Sequence, residues 1–225
     1  MNIRLPLFVT VVIVGAMLAV SLWAWPQFPV DARIVTHWDF NGRPNGHMGK
    51  TMGLFLAPAL AAVLGLLFAL FPRIEPRKLN LASSAKYYRA MWIGALCVLG
   101  VAHGVVVAAA LHAAVNVTAV TMGAVGVLYI VMGNYLGKTR SNFFAGVRTP
   151  WTLTSEYSWE RTHRLTGKLF MVTGAATLAA LAVYPARFAV FILLALSLAT
   201  AATAIAMSYV YWMRDPGRDT GHLVH

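Results

Sequence analysis

Two polar stretches hold most of the side chains in this sequence that could do chemistry. The first, PQFPVDARIVTHWDFNGRPNGHMGKTM (26–52), places His37, Trp38 and Asp39 in a row, with His47 ten residues after His37. Imidazole and carboxylate ligate zinc and copper. His37, Asp39 and His47 are therefore a candidate metal set, which His103 and His112 would approach from the outer end of a neighbouring apolar run. No further strong ligand at helical or hairpin spacing closes the set. An unclosed set reads as polar loop chemistry: a loop braced by hydrogen bonds from His37, Asp39 and Asn41, with neither metal nor cofactor expected.

The second stretch, NFFAGVRTPWTLTSEYSWERTHRLTGK (142–168), offers Arg148, Glu156, Glu160, His163, Arg164 and Lys168. No Gly-x-Ser-x-Gly elbow, His-Glu-x-x-His pair or phosphate-binding loop occurs anywhere in the chain. The apolar runs hold no paired aspartates of the kind an intramembrane protease uses, so catalysis is not expected. Arg148 has two readings: contact with a cytoplasmic partner or with the last carbonyls of a neighbouring helix, or a cation meeting lipid phosphate. His163, between Thr162 and Arg164, suits a hydrogen-bonded structural role better than proton transfer.

The elements that position these groups follow from local rules. A small-residue turn around Gly146 leads to Arg148, and Pro150 pushes Thr149 toward extended backbone. After Trp151, Thr152 and Leu153 the pattern turns helical: Ser155 caps, and Glu156 sits in the first turn, where the helix dipole favours a carboxylate. Trp159 and His163 share one face, and Glu160 precedes Arg164 by four, the favourable order for an ion pair. The next apolar run begins at Leu169. The expectation is a cytoplasmic loop that becomes a surface helix and feeds a membrane span, with Trp151 and Trp159 as interfacial anchors. In the first stretch, turn chemistry at Asn41-Gly42 and Pro44-Asn45-Gly46, after a short alternation from Val30 to Phe40, suits a small hairpin.

The chain is 59% hydrophobic and 11% charged, against about 25% charged in soluble domains. Apolar runs of roughly 20 residues, enough to cross a hydrocarbon core about 30 Å thick, are read at 5–25, 53–72, 90–110, 117–136, 169–184 and 188–212. This is an all-α integral membrane protein of six spans. The first run is longer than a secretory signal and lacks a small-residue cleavage site, so it is read as retained. The last ends in an aromatic belt of Tyr209, Tyr211 and Trp212, before a short tail expected to fray.

Lysine and arginine favour one side. The N-terminus, the basic 73–89 stretch, the 137–168 loop and the tail carry 14 of the 18, against four on the other side (Arg33, Arg43, Lys50 and Arg187). The positive-inside rule then puts both termini in the cytoplasm and the 26–52 loop outside. The net charge of +11 is absorbed by loop orientation and anionic lipid, so no direct nucleic-acid binding is expected. Small residues are dense in the spans, at Gly94–Gly104, Ala108–Ala110, Gly123, Gly126, Gly133 and Ala175–Ala182, which lets helices approach closely. Cys97 is read as a small core residue. No charged residue lies mid-span, against an ion-driven pump. Three units are expected: a two-helix unit at 1–72, a basic loop and third helix at 73–114, and 115–225 with its loop at 137–168.

The stretch from Asn142 to Lys168 resembles the SdpI family of bacterial membrane proteins. The resemblance rests on Asn142, Gly146, the run Arg148-Thr149-Pro150-Trp151-Thr152-Leu153, Trp159, Thr162-His163-Arg164 and Gly167-Lys168. The outer loop is similar to the small domain of unknown function that commonly precedes that motif, through His37-Trp38, Asn41-Gly42-Arg43-Pro44 and Lys50. The resemblance implies a multi-pass immunity or receptor-like protein of the bacterial cytoplasmic membrane. Such a protein protects against, or senses, a secreted membrane-active peptide toxin and relays to a cytosolic transcriptional regulator. On this reading the outer loop senses or blocks the peptide at the outer face, and the inner loop presents Arg148, Trp151, Glu156 and Arg164 to a cytosolic partner or to the bilayer surface. Two other classes stay open: a transporter or permease for a small solute or peptide, against which no internal repeat or paired helix break is seen, and a structural assembly subunit.

Overall fold

The computed structural model describes residues 2–217. Six helices are long and apolar enough to cross a membrane. They are α1 (Arg4–Ala24), α2 (Lys50–Ile74), α4 (Ala85–Ala110), α5 (Val117–Leu136), α7 (Glu156–Val183) and α8 (Ala186–Met213). Between them lie an antiparallel hairpin, β1 (Arg33–Trp38) and β2 (Pro44–Gly49), and two short helices, α3 (Lys78–Ser83) and α6 (Pro150–Thr154). The chain is an all-α membrane protein carrying one small hairpin.

Helices α1, α2 and α4 pack on one another, as do α5, α7 and α8, and α4 against α5 joins the two groups. In the first group Phe68 stacks on Trp92 at 5.6 Å, with Tyr88 edge-on to both. The polar ends of these rings are satisfied: Tyr88 Oη donates to Phe68 O (2.6 Å) and Trp92 Nε1 to Thr10 Oγ1 (3.0 Å). In the second group, glycines seven apart on each helix meet across α5 and α7. A Cβ on Gly133 would stand 2.5 Å from Gly167 O, and one on Gly167 2.7 Å from Gly133 O, with Gly126 facing Gly174 one step along. Backbone meets backbone there, so no side chain can give way.

The bundle is arranged for hydrocarbon. Phe8, Val11, Val172 and Leu198 are exposed, whereas Thr10, Ser21, Thr173, Thr177, Thr200 and Ser208 are buried. Thr10, Thr173, Thr177 and Ser208 return to carbonyls of their own helix, as in Thr173 to Leu169 O and Thr177 to Thr173 O, both 2.8 Å, whereas Ser21 Oγ crosses from α1 to donate to Leu54 O of α2 (2.6 Å). Cys97, expected in the core, is exposed instead. Its run is apolar on all sides, so hydropathy does not say which side meets lipid.

Two span boundaries differ from expectation. α4 begins at Ala85 and not 90, and α7 begins at Glu156 and not 169. The expected surface helix and fifth span are one continuous helix, because its polar first turns are covered by the preceding loop. The tail expected to fray falls largely on residues 218–225, outside those described.

Candidate functional site

The sequence motif closes one end of the bundle. Thr149 begins α6 through a capping box with Thr152: Thr152 N donates to Thr149 Oγ1 (3.2 Å) and Thr149 N to Thr152 Oγ1 (3.0 Å). Pro150 occupies the first helical position, where no amide donor is needed. Ser155 caps α7 by accepting from Ser158 N (3.0 Å), and Glu156 lies exposed in the first turn. Thr149 Oγ1 also donates to Ser208 Oγ (3.0 Å), and Ser158 Oγ to Ser208 O (2.7 Å), which ties the motif to α8.

The loop before α6 folds back onto α7. Asn142 is fully buried; its Oδ1 accepts from Phe144 N and Ala145 N, and its Nδ2 donates to Arg140 O. This local turn aims the chain at Gly146, whose φ of +123° suits glycine. A Cβ at Gly146 would also run into the His163 ring. Val147 N donates to His163 Nε2 (2.8 Å), so His163 carries its proton on Nδ1, which donates to Trp159 O (2.7 Å). The two rings stack at 3.9 Å, and Trp159 Nε1 donates to Thr139 O (3.0 Å).

Both Trp159 and His163 are fully buried. Trp159 is thus no interfacial anchor; its indole is a strut between α7 and the loop. Trp151 is half-buried and packs on exposed Tyr209 at 5.1 Å. Arg148 is exposed, and Nη1 donates to Phe143 O (2.8 Å) within its own loop, not to the end of a neighbouring helix. Arg164 pairs with Glu160, Gly167 lies in the α5–α7 seam, and Lys168 is exposed.

Four residues not singled out from the sequence complete this end. Glu75 is fully buried and accepts from Arg77 N (2.8 Å) and Phe143 N (3.0 Å). Arg77 donates to Ser141 Oγ and Leu153 O and covers the Phe143 ring at 5.0 Å. Asn80 Nδ2 donates to Ser141 O (2.8 Å). The one available signal was Glu75 itself, a lone carboxylate in the otherwise basic 73–89 stretch. The arrangement is a closed hydrogen-bond network with side chains committed to the backbone.

At the other end, the hairpin turn is organised by Asp39. Its Oδ1 accepts from Asn41 N (2.8 Å) and Arg43 N (2.9 Å), and Gly42 supplies a φ of +78°. The backbone N–H of Arg43, ahead of the contribution from Asn41, holds the Asp39 carboxyl below its ordinary range. His37 Nδ1 donates to Asn45 Oδ1 (2.5 Å), and Trp38 pairs with Pro44 across the strands. Lys50 is buried at the start of α2, donating to Phe28 O (2.7 Å) and lying 4.2 Å above the Trp25 ring. Ile34 seats the hairpin on α2 at Gly53, and Phe40 at its tip packs on Phe191 of α8 at 5.5 Å.

Beneath the hairpin, a cavity of about 320 Å³ is lined by Thr36, Trp38 and Phe40, by Val105 and Val106 of α4, and by Met122 of α5. The structure separates the histidines considered as metal ligands. His47 faces Val35 across the ladder, His112 lies in the turn after α4 with a φ of 60°, and His103 is buried, with Nε2 3.2 Å from both Met17 O and Ser21 Oγ of α1. His103 therefore points into the α1–α2–α4 group and not toward His37. Among the described residues no group of three His, Cys, Asp or Glu is placed to hold a metal.

Residues 138–211 match the SdpI/YfhL protein family, and residues 12–62 match a domain of unknown function, DUF1648. Over 212 residues the chain is 23% identical to Immunity protein SdpI of Bacillus subtilis (strain 168), covering 93% of this chain and 97% of that protein. No solved structure matches it.

Proposed function

From a chain that carries an SdpI/YfhL region behind a DUF1648 region, in a multi-pass protein of the cytoplasmic membrane, we propose a membrane immunity protein that confers resistance to a secreted, membrane-active peptide. The observation that carries this reading is the alignment with an immunity protein along nearly the full length of both chains. The lysine and arginine bias supports an orientation with the hairpin end outside and the motif end in the cytoplasm. The apolar cavity under the hairpin suits a hydrophobic side chain of the peptide.

The finer part of the proposal is a relay from peptide to a cytosolic regulator. Helix α8 supports it, since one rigid element touches both loops. Phe191 meets the hairpin tip, and Ser208, 17 residues on, bonds Thr149 and Ser158. That separation is about 25 Å along a helix. A shift of the hairpin on peptide contact would move the α8 surface on which α6 and the start of α7 rest.

The test is survival of a peptide-sensitive bacterium expressing the chain, challenged with a panel of secreted membrane-active peptides. Phe40→Ala, His37→Ala and Arg148→Ala versions run at matched membrane levels. Protection that Phe40→Ala or His37→Ala removes supports peptide contact at the hairpin; retained protection with loss of regulator recruitment in Arg148→Ala supports the relay. No protection across the panel with good expression overturns the immunity reading.

A further inference from the structure

Two cavities at the motif end of α4 and α5 share Lys86, Arg89 and Tyr135. The smaller, about 240 Å³, has a mixed lining that also includes Ser83, Ser84, Tyr87 and Lys138. The larger, about 670 Å³, continues between the helices along Ile93, Val98 and Val101 of α4 and Val127 and Val131 of α5. Neither lining contains Asp or Glu. The one ion pair among the described residues, Arg164–Glu160, lies elsewhere. Three cations therefore face one chamber with no protein carboxylate to neutralise them, and the buried Nε of Arg89 has no hydrogen-bond acceptor.

The groove opens sideways, at Val127 and Val131, on the face that lies in the hydrocarbon layer. From Ile93 to Val101 the apolar slot runs eight residues, about 12 Å of helix, a little under half of a core about 30 Å thick. A cationic chamber above an apolar slot about one leaflet deep matches an amphiphile with an anionic head. A soluble anion would leave the slot unused.

We propose that the α4–α5 crevice is a specific site for one anionic phospholipid, its phosphate on Lys86 and Arg89 and one acyl chain along the groove. The Arg89 guanidinium, whose Nε has no acceptor within the protein, donates to the phosphate, and Lys138 adds charge at the rim. The lysine and arginine bias assigns this end to the cytoplasmic leaflet.

Native mass spectrometry of the full chain in detergent tests it, with phosphatidylglycerol and phosphatidylcholine of identical acyl chains as probes. The expected result is one retained phosphatidylglycerol in clear preference to phosphatidylcholine. Lys86→Gln, at an exposed position, lowers that retention about fivefold, and Lys86→Gln with Arg89→Gln lowers it more than about tenfold. Val127→Trp, which blocks the groove without touching charge, also lowers it, and Arg161→Gln on the exposed face of α7 leaves it unchanged. A thermal midpoint measured alongside separates lost binding from lost fold. Equal retention of the two lipids, an unaltered Lys86→Gln protein, or displacement by millimolar glycerol phosphate, which would reveal a soluble-anion site, each overturns the proposal.

Discussion

Replacing His163 by phenylalanine separates the two things the imidazole does. The ring stacks on Trp159 at 3.9 Å, and Nε2 accepts from Val147 N at 2.8 Å. Phenylalanine keeps an aromatic ring, somewhat larger than the imidazole, but removes the acceptor. The Trp159 carbonyl loses the Nδ1 proton yet keeps its helical partner, so the damage concentrates on the Val147 amide. A buried donor without an acceptor costs roughly 1–3 kcal/mol. Alanine at 163 removes the same acceptor and also leaves a void beside Trp159 and Gly146, adding roughly 2 kcal/mol or more. For a chain of this size each kcal/mol moves the unfolding midpoint roughly 2–4 °C. Thermal unfolding in detergent should therefore rank wild type above His163→Phe and His163→Phe above His163→Ala. Amide exchange should accelerate at Val147 well before it does in the middle of α7. A His163→Phe protein that melts with wild type and keeps Val147 protected would refute the idea that this imidazole holds the motif loop on α7.

Three further outcomes can be checked with related measurements. Gly167→Ala drives a Cβ to 2.7 Å from the Gly133 carbonyl and should cost roughly 1–3 kcal/mol, whereas Gly104→Ala, with nothing within 4 Å, should gain up to about 1 kcal/mol of helix propensity; equal midpoints for the two proteins would rule out the α5–α7 seam. Glu75→Gln turns one of two acceptors into a donor facing an N–H, so limited proteolysis should cut the 138–149 loop faster, and an unchanged cutting rate would mean that Glu75 does not brace it. Asp39 has a folded-state pKa below its ordinary 3.8, so its contribution to the hairpin turn is full above about pH 4 and is lost as pH falls through the folded value. The Asn41 and Arg43 amide resonances should shift together in that acid window and stay flat in Asp39→Asn.

How much of this could be read from the sequence depended on which physical scale each feature lives on. The six spans were legible because hydropathy over about 20 residues needs no knowledge of neighbours. The hairpin was legible from Asn41-Gly42 and the Pro44-Asn45-Gly46 turn, and the Ser155 cap with Glu156 behind it from local rules alone. The same local pattern set Trp159 and His163 on one face but could not say what that face meets. Their partners, Thr139 and Val147, lie 20 and 16 residues away through a loop with no periodicity. A covered face therefore read as a surface helix, and the start of α7 fell thirteen residues late. Glu75 and Arg77 were missed for the same reason, since their partners Phe143, Ser141 and Leu153 come from the far side of two spans.

Cys97 and His103 show a second limit, set by the solvent. In water an apolar side chain argues for the interior. In a bilayer lipid and core are equally apolar, so the hydrophobicity of 90–110 could not tell that Cys97 faces out while His103 faces in. Polarity carries the information there. A hydroxyl or imidazole in hydrocarbon must find a partner, and Ser21, His103, Thr173 and Ser208 all do so on buried faces. Reading the spans for serine, threonine and histidine would have turned His103 toward the bundle interior, the side on which Met17 O and Ser21 Oγ of α1 lie 3.2 Å from its Nε2.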